Sequence, residues 1–203
     1  MAEVFGPGEW EALRAYFGGD FAEKVKTGLA VYGQRWALRE LRFIPYYSIN
    51  SLFTAYSATY GNVVLKLGRP CREMFTECSA LREYSGRCFC RLYEAEPENG
   101  VLLLERLLPG TPLRAVPKQE DRLRAFCGVF EGLHRAPQED IRYRTYGEWV
   151  ENIACTMRRL PGGLVLSGAM QQAETLCRSL WGRYTRRLLQ HGDLHHDNIL
   201  QCE

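Results

Sequence analysis

Two short apolar runs constrain this chain more than any other feature. Val63-Val64-Leu65-Lys66-Leu67 ends at Gly68, and Val101-Leu102-Leu103-Leu104 follows a turn signal at Pro97 to Gly100. Apolar runs this short, bounded by turn residues, read as buried strands. Between them Met74, Cys78, Leu81 and Tyr84 recur at helical intervals, which predicts a helix over 72–84 with Gly86 as its C′ residue. Cys88 to Tyr93 reads as a further strand. Ahead of the first run, Tyr46 to Tyr60 is rich in Tyr, Ser, Thr and Phe. Turn signals at Asn50-Ser51 and Tyr60-Gly61-Asn62 there predict a hairpin leading into it.

The flanks read differently. Residues 8–41 look helical, with Trp10, Leu13 and Phe17 before the Gly18-Gly19 break and Val25, Leu29 and Tyr32 after it. Pro109-Gly110-Thr111-Pro112 reads as a linker. Helices are then expected over roughly 119–135, 145–160 and 169–190. Gln119, Glu120 and Asp121 open the first of these, where negative charge suits a helix N-terminus. The expected class is α+β, in three segments: 1–42 helical, 43–108 a small antiparallel sheet with one helix, and 109–203 mainly helical.

Composition narrows the function classes. The 203 residues suit one sizeable domain or two small ones, and 46% hydrophobic with 25% charged residues argues against disorder. A net charge of +2 with scattered arginines gives no nucleic-acid footprint; Arg158-Arg159 and Arg183 to Arg187 read as solvated helix faces. No run reaches the roughly 18 apolar residues of a membrane span, and the first residues lack a leader pattern, so a cytoplasmic protein is expected. The eight cysteines include no C-x-x-C pair. Cys88 and Cys90 would share one strand face, but no second ligand pair lies near, so reduced and mostly buried thiols are expected. Nothing in the sequence sets an oligomeric state.

Chemistry concentrates in four places whose order matters. His191-Gly-Asp-Leu-His-His-Asp-Asn198 has the H-x-D-L-x-x-x-N spacing of a phosphotransfer catalytic loop, in which the Asp takes the acceptor's proton and the Asn holds a magnesium ion. Lys66, at the end of a buried strand, can reach into a cleft toward nucleotide phosphates, with an ordinary solvated strand-end lysine as the alternative. Glu77 on the next helix can pair with it, with Glu73 and Glu83 as rivals and a solvated surface glutamate as the bland alternative. Glu105 and Leu107 follow the second apolar run, where a backbone carbonyl and N–H could meet a nucleotide base; an ordinary strand end is the alternative. His195 and His196 with Asp193 and Asp197 also resemble a metal-ligand cluster, although adjacent residues rarely point at one ion. Asp197 is open to a second metal or to the loop backbone, and His191 reads as a brace for the loop.

His191-Gly-Asp-Leu-His-His-Asp-Asn-Ile-Leu200 resembles the catalytic loop of aminoglycoside phosphotransferases, where Gly stands in place of the Arg of protein kinases. More narrowly, the chain resembles the aminoglycoside/hydroxyurea resistance kinases, the group containing streptomycin 6-phosphotransferase. The supporting pieces are Val64 to Gly68, the Glu77 to Tyr84 helix, Leu102 to Leu107 with Pro109-Gly110-Thr111, and Gly132-Leu133-His134 followed by Trp149. The resemblance covers about residues 35 to 200. It implies a protein-kinase-like bilobal fold with a small antiparallel-sheet N-lobe and a mainly helical, incomplete C-lobe. It implies transfer of the γ-phosphate of ATP, with Mg2+, to a hydroxyl of an aminoglycoside-like small molecule. Asp193 then matches the catalytic aspartate, Asn198 the metal-binding asparagine, Lys66 and Glu77 the phosphate-contacting pair, and Glu105 and Leu107 the adenine-contacting hinge.

One departure stands out. The family carries a further magnesium-binding Asp after a short hairpin, whereas only Ile199, Leu200, Gln201, Cys202 and Glu203 follow Asn198, and Glu203 is too close to replace it. The resemblance therefore implies a C-terminally truncated member with impaired turnover. A catalytically inactive kinase-like fragment, or a kinase for a sugar, choline or amino-acid alcohol, are the alternatives. Glu131, Glu139, Asp140, Glu148 and Glu151 could meet a cationic acceptor or be solvated charges.

Overall fold

The computed structural model describes residues 4–138, 143–160 and 167–202, and the two apolar runs form neighbouring inner strands of one sheet. The five strands are β1 (Leu38–Ile44), β2 (Ser51–Ser57), β3 (Gly61–Leu67), β4 (Leu92–Glu96) and β5 (Val101–Glu105), in spatial order β1-β2-β3-β5-β4. Every neighbouring pair is antiparallel. Helices α1 (Glu9–Phe17) and α2 (Gly19–Arg35) precede the sheet, and α3 (Arg72–Tyr84) joins β3 to β4.

Both sheet faces are covered, which explains why β3 and β5 are apolar without alternation. Val63, Leu65, Leu67, Val101 and Leu103 pack with Phe53 and Ala55 against Phe21, Val25 and Leu29 of α2 and Leu13 of α1. The intervening Val64, Leu102 and Leu104 turn to the opposite face and meet Met74, Cys78 and Leu81 of α3. The β4–β5 connection turns at Gly100, whose φ of +74 and whose Cα, so placed that a Cβ would fall 2.3 Å from the Gly68 carbonyl oxygen, both require glycine.

Several sequence expectations need correction. The helical reading of 8–41 fails beyond Arg35, because Ala37 adopts φ +47 and breaks the helix, and Leu38–Ile44 then pairs with β2. A bulge between Arg39 and Arg42, with Glu40 at φ +56, hides the strand's alternation. The strand expected at Cys88 begins at Leu92, since Gly86 at φ +80 and Cys88 at φ +60 hold the chain in a loop. Cys88 and Cys90 therefore do not share a strand face. Only Cys78, on the inward stripe of α3, is buried; Cys71, Cys88, Cys127, Cys155 and Cys202 are exposed and Cys90 and Cys177 partly so. The expectation of mostly buried thiols is thus overturned, because the exposed ones occupy loops, a strand of the second sheet and outward helix positions.

The segment expected to be a linker is strand β6 (Pro109–Pro112), which pairs with β7 (Leu200–Cys202). Two prolines are tolerated because each strand of a two-stranded sheet is an edge. A 3₁₀ turn at Leu113–Ala115 follows, and then α4 (Gln119–Leu133).

The chain divides into two compact units, one reaching to Leu133 and resuming at His191, the other His134–Gln190. In the second, α5 (Tyr146–Arg159) packs against α6 (Ser167–Arg183). Thr145 and Glu148 form a reciprocal capping box at the start of α5. Ala154 is fully buried, and the buried Glu174 pairs with Arg158. The helix expected to reach 190 stops at Arg183; Arg183 and Arg187 would be like charges four apart on its continuation.

In the first unit the returning segment is anchored at both ends. His191 stacks on Phe89, with ring centroids 5.5 Å apart and 13° between planes, and Phe89 in turn meets Tyr84 at 4.4 Å. The Tyr84 hydroxyl donates to the Leu133 carbonyl. At the far end the Leu113 N–H donates to the Ile199 carbonyl at 2.8 Å. Burial holds the His191 imidazole below its ordinary pKa of 6.5, against the opposing pull of the Asp193 carboxylate.

Leu65→Ala, at a fully buried position on β3, should lower the unfolding free energy by about 2–5 kcal/mol in urea titration. The same change at the exposed Val31 should stay within about 0.5 kcal/mol. For His191 the unfolded chain takes a proton first, so stability drains as pH falls below about 6.5. Urea midpoints taken between neutral pH and mildly acidic pH should fall more steeply for the unsubstituted protein than for His191→Gln. Parallel profiles would contradict the buried, neutral imidazole.

Candidate active site

Lys66 lies at an inner position of β3, opposite Leu52 of β2 and Leu102 of β5. The strand's two-residue period puts it on the α3 face together with Val64. There its Nζ lies 2.6 Å from Glu77 Oε1 and 2.7 Å from Oε2, so one carboxylate grips the ammonium with both oxygens. The Lys66 side chain is only 14% exposed, and Glu77 at 37% opens toward solvent. Glu77 is one helical turn before Leu81 and two before Tyr84, both buried, which fixes the direction in which it projects. Of the three glutamates considered on this helix, Glu77 is the one that meets Lys66.

Cys90, packed beside this pair, has its thiol pushed up to about 11, first by burial and then by the Glu77 and Glu105 carboxylates. Such a thiol stays protonated and unreactive.

The His191–Asn198 loop is held mostly by its own polar groups. Gly192 has φ +81, a conformation any other residue would find strained. The His191 Nδ1 accepts from the Asp193 N–H at 3.3 Å. The Asn198 Nδ2 donates to the Asp193 backbone carbonyl at 2.8 Å and to Asp193 Oδ2 at 3.1 Å. That leaves Asp193 Oδ1 and Asn198 Oδ1 without hydrogen bonds among the described residues, on a side chain 77% exposed in the case of Asp193. His195 lies against the same group, its Nε2 3.5 Å from Asp193 Oδ2. Asp197 turns to Arg114, whose Nε is 2.7 Å from its Oδ1.

Glu105 ends β5. Its N–H donates to the Arg91 carbonyl at 2.8 Å, and its Oε2 accepts from the Arg91 N–H at 3.0 Å. The Leu107 N–H has no acceptor among the described residues. Lys66, Glu77, Glu105, Leu107, Asp193 and Asn198 all belong to the first unit, and Phe89 links the loop to α3 through its stack on His191.

Other candidates separate from this group. Glu148 is committed to its capping box, Glu131 and Glu151 are exposed on helices, and Glu139, Asp140 and Glu203 lie outside the described residues. Two contacts escaped the sequence reading: Phe89, hidden in a stretch that resembled a strand, and Arg114, whose partner is remote in the chain. The only sequence hint of Arg114 was its place beside the Pro-Gly-Thr-Pro segment.

A magnesium ion asks for hard oxygen ligands in octahedral array and usually completes its shell with water and substrate phosphates. The unpartnered Oδ1 of Asn198 fits that requirement as one ligand, which leaves Asp193 Oδ1 open. Among the described residues no three His, Cys, Asp or Glu side chains converge into a metal cage, so phosphate oxygens would supply the remainder.

Comparison with known proteins gives consistent results. A sequence model described as the aminoglycoside/hydroxyurea antibiotic resistance kinase family matches residues 35–203. The hydroxyurea phosphotransferase of Kitasatospora aureofaciens is 27% identical over 97% of this chain and 60% of its own length. The streptomycin 6-kinase of Streptomyces griseus is 25% identical over 100% of this chain and 65% of its own. The chain thus spans under two thirds of the length of both relatives. Among solved structures, the aminoglycoside phosphotransferase APH(4)-Ia superposes with a TM-score of 0.59 at 17% identity, over 89% of this chain and 67% of that one. An ethanolamine kinase of Plasmodium vivax gives 0.58 at 14% identity, over 96% and 64%. These two likenesses establish the kinase-like α+β fold. With the family match covering most of its residues, the chain belongs to the aminoglycoside/hydroxyurea antibiotic resistance kinases.

Proposed function

We propose that this protein transfers the γ-phosphate of ATP to a hydroxyl of a small antibiotic-like acceptor, an aminoglycoside such as streptomycin being the first candidate. The observation that carries the reading is the two-oxygen grip of Glu77 on Lys66, in the same unit as a loop that presents Asp193 and Asn198. Phosphoryl transfer is mainly a matter of positioning and charge stabilisation, and each of these residues has a part in that.

Lys66 would meet the nucleotide phosphates, held at the right depth by Glu77. The Glu105 carbonyl and the Leu107 N–H would meet the adenine edge, the latter being a donor with no internal acceptor. Bound magnesium would neutralise charge that develops on the phosphates. Asn198 Oδ1 would hold the ion, while its Nδ2 keeps Asp193 oriented. Asp193 Oδ1 would accept the proton of the acceptor hydroxyl as the oxygen attacks. In this reading residues 43–108 carry the nucleotide and 109–203 carry the loop and the acceptor. The names of the two curated relatives supply the acceptors to try, streptomycin and hydroxyurea.

The test is turnover with ATP and magnesium on each acceptor, followed as ADP release and phosphorylated product. Asp193→Asn should lower turnover by about 10²- to 10⁴-fold while ATP affinity stays nearly constant. A variant that turns over at the original rate would remove Asp193 from the role of base.

A further inference from the structure

We propose that Arg114 is a positioning residue for the catalytic loop, acting through Asp197 on the His195–Asp193 contact. The inference rests on the phosphotransfer reading above. It starts from the 3₁₀ turn at Leu113–Ala115, which follows β6 and is tied to the segment after the loop. Leu113 and Ile199 are both buried and share a backbone hydrogen bond of 2.8 Å, so the base of the Arg114 side chain is fixed relative to Asn198.

From that anchor Arg114 reaches Asp197, with Nε 2.7 Å from Oδ1. That oxygen is shielded from solvent and accepts no well-directed hydrogen bond, because the Nε–H does not point along the contact. The link is therefore charge on charge, and the Arg114 guanidinium is the compensation for a carboxylate oxygen that water does not reach. Asp197 is in turn locked to His195. Its N–H donates to His195 Nδ1 at 3.3 Å, and its Oδ2 lies 3.9 Å from the same nitrogen. On its other side the ring meets the site pair, with Nε2 3.1 Å from Asn198 Nδ2 and 3.5 Å from Asp193 Oδ2. The relay runs Arg114, Asp197, His195, Asp193. Without Arg114 the shielded Asp197 oxygen loses its countercharge and turns out to water. His195 is then released, and with it one of the two side chains that orient Asp193.

Exposure predicts the scale. Arg114 is 69% exposed, and exposed ion pairs contribute little to global stability. Its removal should leave the melting temperature nearly unchanged while moving the loop. Two readouts separate this from the phosphotransfer reading. The first is hydrogen exchange at the Asp197 and Asn198 amides, which needs no substrate. The second is kcat and the KM for ATP with the acceptors above. Arg114→Ala and Arg114→Gln should each speed exchange at those amides and lower kcat by about two- to fivefold, with the KM for ATP unchanged. Arg114→Lys, which keeps the charge, should recover most of both. Unchanged exchange in Arg114→Ala would overturn the proposal, as would faster exchange with full kcat, a lysine variant no better than alanine, or a fall in melting temperature large enough to explain the loss. If the unsubstituted protein phosphorylates neither acceptor, the phosphotransfer reading falls, and the exchange comparison still decides whether Arg114 holds the loop.

Discussion

A sheet covered on both faces leaves a lysine on an inner strand very few places to put its charge. Lys66 is flanked along β3 by Leu65 and Leu67, which point to the α1 and α2 side, and is itself turned to the α3 side with Leu102 as its neighbour across the ladder. An unpaired ammonium there would be costly. The structure resolves this with Glu77, placed by the helical period of α3 on the stripe that also carries Leu81 and Tyr84. The pairing thus follows from two periodicities meeting, the strand's two and the helix's 3.6. Because Glu77 opens to solvent, the pair remains accessible to a charged ligand rather than sealed in the core.

The loop that would complete the chemistry has little core of its own. It is fastened at one end by the stack of His191 on Phe89 and at the other by β6–β7 and the Leu113–Ile199 hydrogen bond. Between these anchors the geometry is carried by polar contacts among His195, Asp197, Asn198 and Asp193. Such a segment is set by many weak contacts, so a change several residues from the reacting atoms can alter its alignment.

What could be read in the sequence was mostly local. The helix over 72–84 and the two apolar runs came through because their periodicity is short-range and uninterrupted. The strand Leu38–Ile44 did not, because its bulge breaks the alternation and a helical register appeared to continue into it. Pro109–Pro112 resembled a linker because its pairing partner, Leu200–Cys202, lies far along the chain and no local pattern announces it. The same reason hid Arg114, whose meaning depends wholly on where Asp197 lands. The candidate site residues were picked out by the spacing of His191, Asp193 and Asn198 and by a lysine at the end of an apolar strand. Their hydrogen-bonding roles were not, since these depend on which oxygen faces which donor.

Phosphoryl transfer by this protein requires that Lys66 and the Asp193–Asn198 loop form one nucleotide site. Isothermal titration of ATP with and without magnesium, on the unsubstituted protein and on Lys66→Met, addresses this directly. With a single site, binding requires magnesium and weakens by at least about tenfold in the variant, the equivalent of about 1.4 kcal/mol. Binding that is indifferent to both the metal and Lys66 would contradict it, as would no nucleotide binding to the unsubstituted protein.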